Sequence, residues 1–166
     1  MKKISIIISS FYPMIGGSER QLQLISEELI KRRYDIEVIT RKYNGLSKIE
    51  YVGNIKVRRI GIIKINKTTE KISFCINSIL YYLFNFKNKP DVIIASQTGI
   101  CSVLAMFIKK IFKCKVLVRV AGGELRSFEN NKKRFAKIFK NVDKFIVLSE
   151  DMKNTMENLN EKRVKK

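Results

Sequence analysis

The sequence predicts an α/β fold, a mostly parallel sheet with helices on both faces, on three observations. Strand-like and helix-like patterns alternate from one end of the 166 residues to the other, the order that builds parallel sheets. Residues 4–9, ISIIIS, form a continuous apolar run of the kind found in strands covered on both sides. Residues 4–40 then read as that strand, a loop ending in Gly16-Gly17, an amphipathic helix and a second strand. A diglycine at a helix start lets backbone N–H groups approach an anion, and the helix dipole adds about half a positive charge there. A phosphate group of a nucleotide suits such a place.

Each element follows from its pattern. In residues 18–32, Leu22, Ile25, Leu29 and Ile30 fall on one helical face, with Glu19, Arg20, Gln23, Glu27 and Lys31 elsewhere. Ser18 is the expected N-cap, with Gln21 as its capping-box partner. Residues 36–40 alternate as a strand, 41–54 are polar with turn signals at Asn44-Gly45 and Gly53-Asn54, and 55–60 form another short strand. A helix is expected at about 70–87, ended by Lys89-Pro90-Asp91, and DVIIAS (91–96) is a strand. Then come a helix over 99–112, a strand over 115–120, the AGGEL segment (121–125) and a basic helix near 130–140. A strand at 143–149 and a helix at 150–159 complete the series. The alternation is Rossmann-like. Residues 1–158 are expected to form one domain, with 159–166 a charged tail or the start of a linker.

Composition bounds the chemistry. Apolar residues make up 45% of the chain, enough for a real core. Cys75, Cys101 and Cys114 lack metal-like spacing and read as small apolar residues in a reducing cytosol. The opening MKKISIII has an apolar run too short for a signal peptide and is better read as a first strand. The formal charge is +19, from 34 basic and 15 acidic residues. Such a field attracts nucleic acid, phospholipid headgroups or diphosphates, while the wealth of Lys, Ile and Asn is equally what coding bias leaves on a solvated surface. Helix 72–86 is apolar nearly all round and shorter than the roughly 20 residues that span a bilayer. Two readings stay open for it: a half-buried core helix, or an interfacial helix whose end, Tyr81, Tyr82, Phe84 and Phe86 followed by Lys87 and Lys89, sits at an anionic membrane surface.

The diglycine loop is neither a dinucleotide fingerprint nor a Walker A loop, since it lacks G-x-G-x-x-G and no Gly-Lys-Ser/Thr follows. Its P-x-x-G-G (13–17), Glu19, the helix pattern and the strand ending at Thr40 resemble the amino-terminal domain of family 4 glycosyltransferases. DVIIASQTG (91–99), KVLVRVAGGEL (115–125) and VDKFIVLSEDMKNTM (142–156) resemble that domain's later landmarks, in the same order. The resemblance covers essentially the whole chain. It implies one half of a GT-B fold, from enzymes that transfer a sugar with retention from a nucleotide donor, here a UDP- or GDP-sugar, without another cofactor. Gly16 and Gly17 match the loop that approaches the donor diphosphate, and Ser18 and Glu19 lie beside it. Ser96, Gln97 and Thr98 match a loop lining the acceptor side, and Gly122, Gly123, Glu124 and Arg126 lie in the loop where many relatives carry a functional His.

This chain has no histidine, so no histidine acid or base acts from it, and no general base or other catalytic residue is assigned. No Asp-x-Asp element or ligand cluster implies a metal. Nothing here is read as the donor-binding domain's own Glu-x7-Glu element. The expectation is therefore the acceptor-binding half of a glycosyltransferase of bacterial surface polysaccharide or glycolipid synthesis. The donor half would come from the rest of a longer chain or from a separate polypeptide. The expected location is cytoplasmic, peripheral at the inner face of the membrane, with a sugar nucleotide and a lipid-linked or polysaccharide acceptor as partners. Two rivals differ in class: a non-catalytic membrane-associated subunit of a split glycosyltransferase, and a basic nucleic-acid-binding module stacking bases on pairs such as Arg134-Phe135 and Lys144-Phe145.

Overall fold

The computed structural model describes residues 1–61, 66–85, 89–121, 124, 138 and 140–164. Its strands are β1 (Lys3–Ile7), β2 (Asp35–Arg41), β3 (Ile49–Val52), β4 (Ile55–Ile60), β5 (Val92–Ser96), β6 (Lys115–Arg119) and β7 (Lys144–Ile146). The helices are α1 (Gly17–Lys31), α2 (Lys67–Phe84), α3 (Ile100–Phe112) and α4 (Glu150–Val164). The strands form one sheet in the order β3-β4-β2-β1-β5-β6-β7. Every neighbouring pair is parallel except β3 and β4. The α/β, Rossmann-like expectation is what the chain adopts.

Parallel register divides the side chains between two cores. Ile6 lies between Val38 and Ile94, and with Ile4, Ile8 and Val57 it packs beneath Leu22 of α1. Ile7, Ile39, Ile93, Ala95, Val116 and Val118 face the other way, onto α2, α3 and Met152 and Met156 of α4. Cys75, Cys101 and Cys114 are free thiols in or against this second core. From β1 the chain moves to β2 on one side, and β5 enters on the other. Open α/β sheets bind ligands at the carboxyl ends of strands flanking such a reversal.

Local chemistry moves several boundaries. The structure adds β3, which the polar stretch 41–54 concealed. It pairs with β4 through a two-residue turn whose Gly53 takes φ +58°, a conformation glycine adopts without steric cost. Helix α2 starts earlier than expected because Asn66 Oδ1 accepts from the amides of Thr68 (3.0 Å) and Thr69 (2.8 Å). The strand expected at 143–149 is shorter, and Ser149 instead caps α4 by accepting from Met152 N–H at 3.3 Å. Helix α4 runs on to Val164, past the expected end at 159. Of the basic helix near 130–140, residues 138 and 140 are helical and the others lie outside the described residues.

Helix α2 is half-buried, an arrangement that both readings of its sequence allow. Phe74 and Tyr82 enter the core, whereas Ile72, Ile76, Leu80, Leu83 and Phe84 are exposed; Phe86 and Lys87 lie outside the described residues. Two hydroxyls hook α2 to the sheet. Tyr82 shares a hydrogen bond of 2.5 Å with Ser5, and Tyr81 donates to buried Glu37 of β2 at 2.7 Å. Burial would push the Glu37 pKa up, but the Tyr81 hydroxyl, Arg58 (3.0 Å) and Lys56 (3.4 Å) hold it below the ordinary value. No described helix is long and apolar enough to cross a membrane.

A second carboxylate closes the opposite end of the sheet. Asp143 accepts from Lys109 Nζ (2.7 Å), Val116 N–H (2.8 Å) and Lys115 Nζ (3.4 Å). Against the opposing push of burial, these partners, Lys109 foremost, hold its pKa at about 2. A carboxyl group whose pKa is depressed on folding stabilises the native state above its unfolded value, about 4, and loses that contribution as pH falls. Urea midpoints should therefore drop between about pH 5 and about pH 2. Asp143→Asn should flatten part of that slope; an unchanged slope would show that the carboxylate contributes nothing.

Candidate active site

The loop after β1 is held from below by two arginines of neighbouring strands. Arg41 of β2 donates to Ser9 O at 2.8 Å, and its guanidinium pairs with Glu70 at 3.1 Å. Arg59 of β4, fully buried, donates to Tyr12 O at 2.5 Å and Ser47 O at 3.1 Å and pairs with Glu50. Phe11 is buried between these anchors, while Tyr12 through Gly17 are exposed. The loop thus reaches the start of α1 at a fixed height above the sheet.

The first turn of α1 is arranged differently from expectation. Its N-cap is Gly16, not Ser18. The Glu19 carboxylate caps it, accepting from Gly16 N–H at 3.1 Å and from Ser10 Oγ at 2.6 Å. The N–H groups of Gly17 and Ser18 have no acceptor among the described residues, and orphan donors of this kind at an exposed helix start are an anion cradle. Ser18 and Gln21, released from capping, turn to the sheet. Arg119, the last residue of β6, donates to Ser18 Oγ at 3.3 Å and to Gln21 Oε1.

Arg119 is the feature that sequence reasoning passed over. It is 1% exposed, and its Nε has no partner among the described residues. Burial lowers its pKa, with the fields of Glu124 and Glu19 opposing that shift. Neither carboxylate pairs with it, since Glu19 is occupied by Ser10 and Gly16 and Glu124 by Thr98 and Ala121. Ser96, opposite Arg119 in register, is also fully buried, and its hydroxyl has no partner among the described residues. A desolvated cation and a spare hydroxyl therefore lie beneath the positive end of α1. The one available signal was a charge inside the apolar run VLVRV.

Beside them, Glu124 ties two loops together. Its Oε1 accepts from Thr98 N–H (2.8 Å) and Thr98 Oγ1 (2.9 Å), and its Oε2 from Ala121 N–H (3.0 Å). Gln97, with φ +73°, donates to Arg119 O at 2.9 Å, fixing the turn between them. Gly16, Gly17, Ser18, Glu19, Ser96, Gln97, Thr98 and Glu124 are thus gathered at the carboxyl edge of the sheet, after β1, β5 and β6. Gly122, Gly123 and Arg126 lie outside the described residues, as do Arg134 and Phe135. Phe145 packs against the core. Among the described residues no group of three Cys, Asp or Glu could hold a metal ion.

The comparisons with known proteins agree with this frame. No curated protein sequence matches the chain. Its fold is similar to that of sucrose-phosphate synthase from Thermosynechococcus elongatus, at 14% identity and a TM-score of 0.77 over 95% of this chain and 45% of that one. It is also similar to UDP-GlcNAc 2-epimerase from Methanocaldococcus jannaschii, at 20% identity and a TM-score of 0.62 over 94% of this chain and 42% of that one. The chain thus spans under half the length of either protein, and at such identities the likeness is one of fold. The match that names a family runs over residues 15–165, from the loop before α1 to beyond the end of α4. With one half of a GT-B fold and its helix start at the sheet's point of reversal, the chain belongs to Glycosyltransferase Family 4.

Proposed function

We propose that the chain is the acceptor-side half of a retaining glycosyltransferase. In this reading the diphosphate of a UDP- or GDP-sugar lies against the start of α1. The observation that carries it is the pair of N–H groups at Gly17 and Ser18, without an acceptor among the described residues, and behind them the buried Arg119 guanidinium, to which no described carboxylate hydrogen-bonds. Donors aimed where a leaving group gathers charge stabilise its departure without needing a proton. An acceptor hydroxyl held by the Gln97–Thr98 loop and the Glu124 segment would attack C1 on the face the diphosphate vacates. The chain has no histidine to take the hydroxyl proton, and the departing diphosphate is the base at hand. A second domain, in the same polypeptide or another, would close the cleft over the nucleotide. The acceptor would belong to bacterial surface polysaccharide or glycolipid synthesis, at the inner face of the cytoplasmic membrane. The exposed face of α2 also suits the rival in which this chain is the membrane-associated, non-catalytic subunit of a split enzyme.

Gly17→Val tests the site directly. A side chain there meets nothing within 4 Å, so the fold should be disturbed little. It would crowd an anion at the helix start, and calorimetric titration of the full chain with UDP and GDP should show affinity down at least about tenfold. Undiminished affinity would remove the diphosphate from this loop.

A further inference from the structure

The outward sides of α2 and α3 carry a surface that the described residues do not cover. On α2, Ile72, Ile76 and Leu80 recur every turn, and Phe84 ends the row at 83% exposed. On the neighbouring α3, Val103, Phe107 and Ile111 repeat the spacing, with Phe107 48% exposed. Both helices pack on the same face of the sheet and run against its strands, so the two rows lie side by side. Contiguous apolar surface of this kind marks a contact with something apolar.

Charge identifies the occupant. Helix α2 has one acidic residue, Glu70, which is buried and paired with Arg41, and α3 has none. At the carboxyl end of α3, Lys109, Lys110, Lys113, Lys115 and Lys140 surround a cavity of about 410 Å³ whose one acid is Asp143. Lys109 and Lys115 are spent on Asp143, which leaves Lys110, Lys113 and Lys140 exposed without an ion pair among the described residues. Apolar rows ending in uncompensated ammonium groups match acyl chains beneath anionic headgroups. A second copy of the chain would set lysine against lysine, and a nucleic acid would leave the apolar rows uncovered.

We propose that the α2–α3 face docks on an anionic lipid bilayer, with the apolar rows in the headgroup layer and the lysines around the α3 end on the phosphates. Helix α2 is about 27 Å long at 1.5 Å per residue and lies flat in that layer. Val103 stands one turn from Gly99, so the docked face extends to the loop bearing Gln97 and Thr98. That adjacency, resting on the functional reading above, would deliver a lipid-linked acceptor to the site.

Co-sedimentation of the full chain with vesicles decides it. Phosphatidylcholine vesicles containing phosphatidylglycerol should bind the chain, and phosphatidylcholine alone should bind it far less. Lys110→Glu and Lys140→Glu should each weaken binding at least about fivefold, and Phe107→Glu more than about tenfold. These side chains are exposed, and unchanged circular dichroism would confirm the fold. Equal binding to neutral vesicles, or indifference to Phe107→Glu, would overturn the proposal. So would a dimer abolished by Phe107→Glu in a chain that binds no vesicles. Vesicle binding is read without a nucleotide, so lost UDP or GDP binding beside intact vesicle binding would overturn the functional reading alone.

Discussion

Arg119→Met should leave the chain at least as stable as before while cutting its affinity for UDP or GDP about tenfold or more. The two effects separate because the guanidinium is desolvated, no carboxylate among the described residues hydrogen-bonds to it, and the fields of Glu124 and Glu19 offset only part of the burial effect. Replacing a buried charge with an apolar side chain of similar volume is often neutral or stabilising, here by up to about 2 kcal/mol. Gln21 is exposed and can turn to water when its partner is lost. A bound diphosphate, by contrast, would lose the buried positive charge behind the helix start. Arg119→Lys should fall between the two, since it keeps the charge and loses the fork that reaches both Ser18 and Gln21. Urea denaturation and calorimetric titration on the same samples check the pair of effects. A destabilised methionine variant with unchanged affinity would make Arg119 a strut between β6 and α1.

Arg59→Ala should be among the most destabilising single substitutions in the chain, costing about 3 kcal/mol or more. The side chain is fully buried and joins three segments: the loop after β1 through Tyr12 O, the approach to β3 through Ser47 O, and β3 itself through Glu50. Alanine would leave a cavity and orphan two carbonyl oxygens. Because Tyr12 belongs to the loop that ends in Gly16-Gly17, affinity for UDP should fall alongside stability. Urea unfolding gives the first number and titration the second. A loss under about 1 kcal/mol would mean that Arg41 and Phe11 hold the loop without Arg59.

These two arginines also mark where the sequence was legible and where it was not. Periodicity located β1, α1, β2, β4, β5, α3 and β6, because burial on one face of a helix or both faces of a parallel strand leaves its period in the chain. The diglycine was legible too, along with the loops after β5 and β6, since alternation alone carries them to one edge. Arg41, Arg59 and Arg119 were not, because partners such as Ser9, Tyr12 and Ser18 lie 32, 47 and 101 residues away. The Ser18 cap failed for the same reason, since a distant arginine took the side chain that local pattern assigned to the helix start. β3 was hidden by its length and its exposed edge, where alternation is brief and polar. In α2 apolar residues on every side erased the period, so its orientation could not be read.

That last point gives the two tyrosine hydroxyls of α2 a larger meaning. A cylinder greasy all round can roll on an apolar sheet with little change in energy, and each roll angle would present a different surface. The bonds from Tyr81 to Glu37 and from Tyr82 to Ser5 act as pegs. They select one roll angle, because any other leaves a buried carboxylate or hydroxyl without its partner. Which apolar residues face outward is therefore decided by polar atoms on the inside.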